Sequence, residues 1–261
     1  MSQQFKKSNR PSLPKSRLII GRKPLIEALQ LGKNIEKIFV LQTAAGEEIS
    51  LIRKNAREQN VPLSLVPQEK LARFTQANHQ GVVAIAGLIE YQSLQDIINI
   101  TFDKGEAPLI IIADGITDTR NLGAIARSAY CYGAHALVLP VANSAAVTEE
   151  SIKTSAGALE HLPVCRIASV QQAMDVLQLN GIQSLATALH TSRFITDISL
   201  KDPLAIIMGS EDKGVSDYVL KHADQLVRIP MAGNFDSLNV SVATGIVLYE
   251  AHRQRAADLS E

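Results

Sequence analysis

Apolar residues follow two rhythms along this chain. Short continuous runs, such as Leu109-Ile-Ile-Ile-Ala113, alternate with longer stretches where apolar side chains recur every three or four positions. The runs predict strands and the stretches predict amphipathic helices. Leu18-Ile-Ile20 leads into a helix with Pro24 in its first turn and Gly32 just past its end, the positions these two residues favour. Residues 38–41 read as a strand, 47–59 as a charged helix and 63–66 as a strand. Residues 71–75 follow as a short helical piece and 82–88 as a closing strand. Residues 17–89 therefore predict a small α/β domain, and 90–107 a linker carrying one helical segment.

A stronger alternation fills residues 108–261. Strands are expected at 109–113, 136–139, 164–167, 184–188, 204–208 and 226–229. Helices are expected at 121–132, 146–158, 170–179, 215–221 and 239–255. Strands this uniformly apolar belong to a parallel sheet covered on both faces. In the last helix Val240, Ala243, Thr244, Val247, Leu248 and Ala251 form one stripe, with Ser237 or Asn239 as the natural N-cap. That stripe suits an intramolecular core or a partner helix equally.

Composition narrows the setting. Aromatics are 4% and Trp is absent, so the core is aliphatic. No apolar run reaches the roughly 18 residues of a membrane span, and the start of the chain lacks the apolar core of a secretory signal. Two cysteines, Cys131 and Cys165, fit a reducing cytoplasmic setting better than a disulfide scaffold. Cys131 reads as a small core filler. The zero net charge conceals an asymmetry: seven of the 26 basic residues (Lys6, Lys7, Arg10, Lys15, Arg17, Arg22, Lys23) precede the first acid, leaving 19 against 26 in the remainder. Residues 1–16 are expected to be a disordered basic tail, suited to solubility or to phosphate contact.

Several chemistries fail on their spacing. No Gly-x-Gly-x-x-Gly follows a strand, and no Gly-x-Ser-x-Gly exists for a serine hydrolase. Gly209-Ser-Glu-Asp-Lys-Gly214 has phosphate-loop glycine spacing, but Val215-Ser216 follows where Lys and Ser or Thr are required. His161 and Cys165 are separated by Pro163 and have no second pair, so no metal site is expected. What remains are three polar strand-to-helix turns on one sheet, the usual place for a ligand in such folds. They are Asp114-Gly-Ile-Thr-Asp-Thr-Arg-Asn121 with Arg127 beyond, Met208 to Ser216, and Ile229 to Ala243.

Asn121-Leu-Gly-Ala…Arg127, Met208-Gly-Ser-Glu211…Gly214 and Ile229-Pro-Met…Ser237-Leu-Asn-Val-Ser-Val-Ala243 resemble, in order, the three motifs of the SpoU (TrmH-type) ribose methyltransferases of the SPOUT superfamily. Ile20-Gly-Arg-Lys-Pro-Leu-Ile-Glu-Ala-Leu29 and His79-Gln-Gly-Val-Val83 resemble that family's N-terminal RNA-binding domain. The resemblance spans about residues 18–256. It implies a SPOUT-type parallel sheet with a C-terminal trefoil knot, preceded by a small ribosomal-protein-like α/β RNA-binding domain.

By motif position the resemblance implies S-adenosyl-L-methionine contacts at Thr187, Met208, Gly209, Ile229, Leu238 and Ser241. It implies catalytic roles for Asn121, Arg127, Glu211, Ser237 and Asn239; Glu211 either shapes and anchors its loop or orients Arg127 and Asn239. Arg22, Lys23 and Arg120 are candidate RNA contacts. The implied activity is 2′-O-ribose methylation of 23S rRNA, at a guanosine of the peptidyl-transferase region, by a cytoplasmic homodimer packed through the C-terminal helix. Ribose methylation of tRNA is the sister reading, and a non-catalytic RNA-binding ribosome-assembly factor the rival of another class.

Overall fold

The computed structural model describes residues 17–189, 191–232 and 237–257, and the chain divides into two units, Met1–Gly87 and Leu88–Glu261. The expected basic tail lies outside the described residues. So do Gly233, Asn234 and Asp236 of the third loop.

In the first unit β1 (Leu18–Ile20), α1 (Arg22–Gln30), β2 (Ile35–Leu41), α2 (Glu47–Glu58), β3 (Leu63–Val66), α3 (Gln68–Ala72) and β4 (Val82–Ala86) follow one another. The sheet order is β1-β4-β2-β3, with only β2 and β3 parallel. Alternation along β2 explains its two faces. Ile38 and Val40 join Leu25, Leu29, Ile49 and Ile52 under α1 and α2, while Phe39 packs with Leu71 and Phe74 on the other side. The short helix lies upstream of its expected 71–75, because Pro67 holds the extended backbone that precedes a first turn.

The second unit holds β5 (Tyr91–Gln92), α4 (Leu94–Asp103), β6 (Leu109–Asp114), α5 (Thr119–Cys131), β7 (Ala136–Pro140), α6 (Glu149–Thr154), α7 (Ala158–His161) and β8 (Val164–Ile167). It continues with α8 (Val170–Leu179), β9 (Gln183–Thr187), β10 (Leu204–Gly209), α9 (Asp217–His222), β11 (Gln225–Val227) and α10 (Val240–Ala257). The expected linker is not one. Tyr91 and Gln92 pair with β8, and Leu94, Ile97 and Ile98 of α4 are buried on the sheet. The helix expected over 146–158 is two helices, because Ala156 (φ 51°) and Gly157 (φ 87°) turn left-handed in succession.

All seven strands are parallel, in the order β11-β9-β10-β6-β7-β8-β5. On β6, Leu109, Ile111 and Ala113 face α5, α7 and α10, while Ile110 and Ile112 face α4, α8 and α9. Each fully buried aliphatic side chain contributes about 1.5–3 kcal/mol, which accounts for the unbroken apolar runs. Neighbouring β6 and β10 send their following helices to opposite faces. Their carboxyl ends therefore open a crevice at the topological switch point. No helix among the described residues is long and apolar enough to cross a membrane.

Candidate functional site

The three loops expected to meet do so at that crevice. Asp118 caps α5, accepting from the backbone N–H groups of Arg120 (2.7 Å) and Asn121 (3.1 Å). These two bonds hold its carboxyl below the usual aspartate value. With the helix start fixed, Asn121 donates through Nδ2 to Glu211 Oε1 at 2.9 Å and accepts at Oδ1 from Asn239 Nδ2 at 3.1 Å. Asn239 Nδ2 also bonds Glu211 Oε1, closing the triangle.

Glu211 reaches this position because β10 turns back on itself. Ser210 and Gly214 exchange backbone hydrogen bonds of 3.0 and 2.8 Å, and a Cβ on Gly209 would lie 2.0 Å from Gly214 C and 2.1 Å from Val215 N. Only glycine permits that approach. The far side is anchored by Asp114, buried at the end of β6, which accepts from Ser216 N at 2.6 Å.

Asn239 has a second duty. Its Oδ1 accepts from Ser241 N at 2.9 Å and Ser241 Oγ at 2.5 Å, so Asn239, rather than Ser237, caps α10. One amide thus fixes the helix with its oxygen and the triangle with its nitrogen. Ser237 is exposed and bonds no described residue.

The candidate cofactor residues line the same sheet edge. β9 lies between β10 and β11, with Thr187 opposite Val227, and Thr187 Oγ1 lies 3.8 Å from Met208 Sδ. Ile229 is half-buried against the core, Leu238 is partly exposed, and Ser241 stands in the first turn of α10. Apolar surface from Met208, Ile229 and Leu238, interrupted by the Thr187 and Ser241 hydroxyls, suits a ligand with an apolar flank and a few polar handles. β11 ends at Val227 instead of 229, because Arg228 N bonds Arg193 O and the chain leaves β9 for the 193–195 segment.

Arg127 stands apart. It is exposed on α5, and its side chain makes no hydrogen bond or ion pair with any described residue, Glu211 included. Six helical positions rotate it about 240° from Asn121 and carry it roughly 9 Å along the axis. Arg120 is exposed and lies 3.6 Å from Asp118.

In the first unit Arg22 is spent on structure: its Nε donates to Gln80 O at 3.0 Å, and Nη1 faces Ala45 O and Glu48. Lys23 is exposed. Cys131, expected in the core, is exposed at the end of α5, since its position falls off the buried face formed by Leu122, Ile125, Ala126 and Ala129. Cys165 is the buried one, and desolvation pushes its thiol up to about 12. Among the described residues no cluster of three His, Cys, Asp or Glu could hold a metal.

Sequence reasoning passed over Asp118 and Gly123. A strand-loop-Asp-Thr sequence before an apolar repeat is a cap signal. Gly123 is required because a Cβ would meet Ser151 O at 2.5 Å and Thr154 Cβ at 2.8 Å, where α5 crosses α6.

Known proteins resemble this chain in sequence and in fold. The SpoU rRNA Methylase family profile matches residues 108–249, and a profile described as RNA 2′-O ribose methyltransferase substrate binding matches residues 18–92. YacO of Bacillus subtilis, assigned to the TrmH family of tRNA/rRNA methyltransferases, is 33% identical over 237 residues, covering 91% of this chain and 95% of its own. The AdoMet-bound rRNA methyltransferase of Sinorhizobium meliloti has a TM-score of 0.58 and 28% identity, covering 92% of this chain and 88% of its own. The A. aeolicus TrmH/SpoU tRNA modifying enzyme has a TM-score of 0.54 and 28% identity, covering 62% of this chain and 86% of its own.

Proposed function

The chain belongs to the SpoU rRNA methylase family, and from that premise we propose that it methylates a ribose 2′-hydroxyl of 23S rRNA, at a guanosine of the peptidyl-transferase region. It is an S-adenosylmethionine-dependent RNA 2′-O-ribose methyltransferase. The carrying observation is the Asn121–Glu211–Asn239 triangle, which ties three loops from separate strands into one polar surface beside the candidate cofactor edge. A substrate-binding domain ahead of the catalytic one supports rRNA over tRNA: the rRNA methyltransferase aligns over 92% of the chain and the tRNA modifying enzyme over 62%.

Bound at the ends of β9, β10 and β11, S-adenosylmethionine supplies the electrophilic methyl group. The chain's own task is to hold the ribose oxygen in line with it, since orientation is a large part of such catalysis. Glu211, locked by two amides, fixes Asn121 and Asn239, whose remaining polar atoms position the sugar. Arg127 does not act as a base, because guanidinium keeps its proton. It donates to the phosphate beside the target ribose and offsets charge developing on the oxygen, while the proton leaves to phosphate or water. Ser237 contributes a hydroxyl to substrate handling.

The working unit is a homodimer packed through α10. The stripe Val240, Thr244, Val247, Leu248 and Ala251 is spent on the chain's own core. Val242, Ile246 and Tyr249 on the opposite side remain exposed, so the first ten residues of the helix are apolar on two opposite sides. A trefoil knot in the C-terminal third belongs to the same reading.

Tritiated methyl incorporation into undermodified 23S rRNA, with tRNA as the parallel substrate, tests the activity. Incorporation at one guanosine is expected in rRNA, together with at least a 100-fold loss in Arg127→Ala. Labelling of tRNA alone overturns the rRNA target, and RNA binding with no transfer to either overturns the enzyme.

A further inference from the structure

The first unit carries a concavity of about 450 Å³ between the end of β2, α3 and the 75–81 turn. Gln68, Gln76, Asn78, His79 and Gln80 line it, with Leu41 as an apolar member. None of the described residues lining it carries a carboxylate, ammonium or guanidinium. A phosphate site would present cations, and a hydrophobic ligand would find mostly amides. Paired donors and acceptors at one place match the edge of a nucleobase.

The turn is built to hold these groups still. Gly81 N donates to His79 Nδ1 at 3.0 Å, Gln80 N to Asn78 Oδ1 at 3.3 Å, and Gln76 Nε2 to Ala72 O at 3.0 Å. Gln80 sits at φ 50°, a left-handed conformation, and Arg22 fastens it from two sides: its backbone N–H bonds Gln80 Oε1 at 3.4 Å and its Nε bonds Gln80 O at 3.0 Å. The other ring nitrogen of His79, Nε2, lies 3.4 Å from the Gln68 side-chain amide. Among the described residues, Gln76 Oε1, Asn78 Nδ2 and Gln80 Nε2 remain unspent, a mixed set of one acceptor and two donors.

We propose that this concavity receives an unpaired base of the RNA substrate and reads its edge. The inference rests on the chain being an RNA methyltransferase and adds where the first unit holds the RNA. Bases in a duplex are stacked and paired, whereas a splayed base offers both its face and its edge. Arg22 is, on this account, a positioning residue that keeps the turn in shape.

The test uses the full chain with S-adenosylmethionine and undermodified 23S rRNA. Gln76→Ala removes one edge acceptor, and Ala77→Trp fills the concavity without deleting any of these side-chain hydrogen bonds. Each should raise the KM for RNA about tenfold, with kcat and cofactor affinity unchanged. A short single-stranded RNA should compete better than the same strand in duplex against the wild type, and this preference should vanish in both variants. Unchanged KM and unchanged strand preference in both variants overturn the proposal. If the wild type methylates no RNA, the enzyme reading fails instead, and direct titration with the two competitor RNAs still decides the concavity.

Discussion

Asn239 works at both ends of its side chain, and the two duties can be separated. Aspartate caps helices as well as asparagine does, so Asn239→Asp keeps the bonds from Ser241 N and Oγ. It removes the Nδ2 donor and sets a second carboxylate against Glu211. Methyl transfer should fall about 100-fold, while the melting temperature moves by no more than about 2 °C; a drop in Tm that tracks the lost activity would assign Asn239 to stability alone. Asp118 carries a pH signature. Two backbone N–H groups hold its carboxyl below the ordinary value of 3.8. Its contribution is therefore complete above that pH and disappears as the pH falls through its lower native value. Asp118→Asn retains a cap without a charge. Unfolding free energies from denaturant titrations at each pH should match wild type near neutrality, within about 1 kcal/mol, and lose the part of the acid-side decline that Asp118 causes. Capping was legible at Asn239 because it stands just ahead of an apolar repeat. The bond from Asn121 to Glu211 was not, since it spans 90 positions and depends on the fold-back at Gly209, whose glycine looked like a failed phosphate loop.

At the scale of elements, the uniformly apolar strands were the easiest to read, because burial on both faces leaves no polar position to mislead. Boundaries failed where backbone conformation decided them. Pro67 starts α3 early, Ala156 and Gly157 split α6 from α7, and Arg228 leaves β9 for the 193–195 segment. The presumed linker failed for another reason: Tyr91-Gln92 is too short to show a strand's alternation, and only its partner β8 reveals it. Arg255 likewise gave no signal. On α10 it donates to four backbone carbonyls, Leu200 (2.9 Å), Ala107 (2.7 Å), Pro108 (3.2 Å) and Asp202 (2.7 Å), and so ties the last helix to the starts of β6 and β10. A planar fork of five donors suits this, whereas an ammonium gathers its three donors on one nitrogen at the end of a shorter side chain and reaches only some of the carbonyls. Arg255→Lys should destabilise the protein by about 2 kcal/mol, seen as a lower urea midpoint with the same slope. An unchanged midpoint would show that water replaces the lost bonds at no cost.

At the scale of the whole molecule, the apolar stripe read from the sequence and the face proposed for a partner are different sides of one helix. The sequence pattern marked the inward side, because its spacing matches the core formed with α5. The outward side stayed hidden, since Val242, Ile246 and Tyr249 are interleaved with the inward residues Ala243, Val247 and Leu248 and do not read as a face of their own. In the fold they lie four and three residues apart on one side of α10, at 52%, 37% and 54% exposure, and Tyr249 meets Tyr132 edge-on at 6.1 Å. A helix already covered on one side does not need a second apolar side for its own folding. A two-fold axis running across α10 would set the same side chains against their copies, as an isologous interface requires. An aspartate at position 246 would then meet its own copy in a desolvated centre, whereas in a monomer it would rest harmlessly in water. Ile246→Asp should shift the sedimentation-equilibrium mass from dimer to monomer and leave the secondary structure intact. A wild type that is already monomeric at micromolar concentration would remove α10 from the dimer proposal and return its outer face to some other partner.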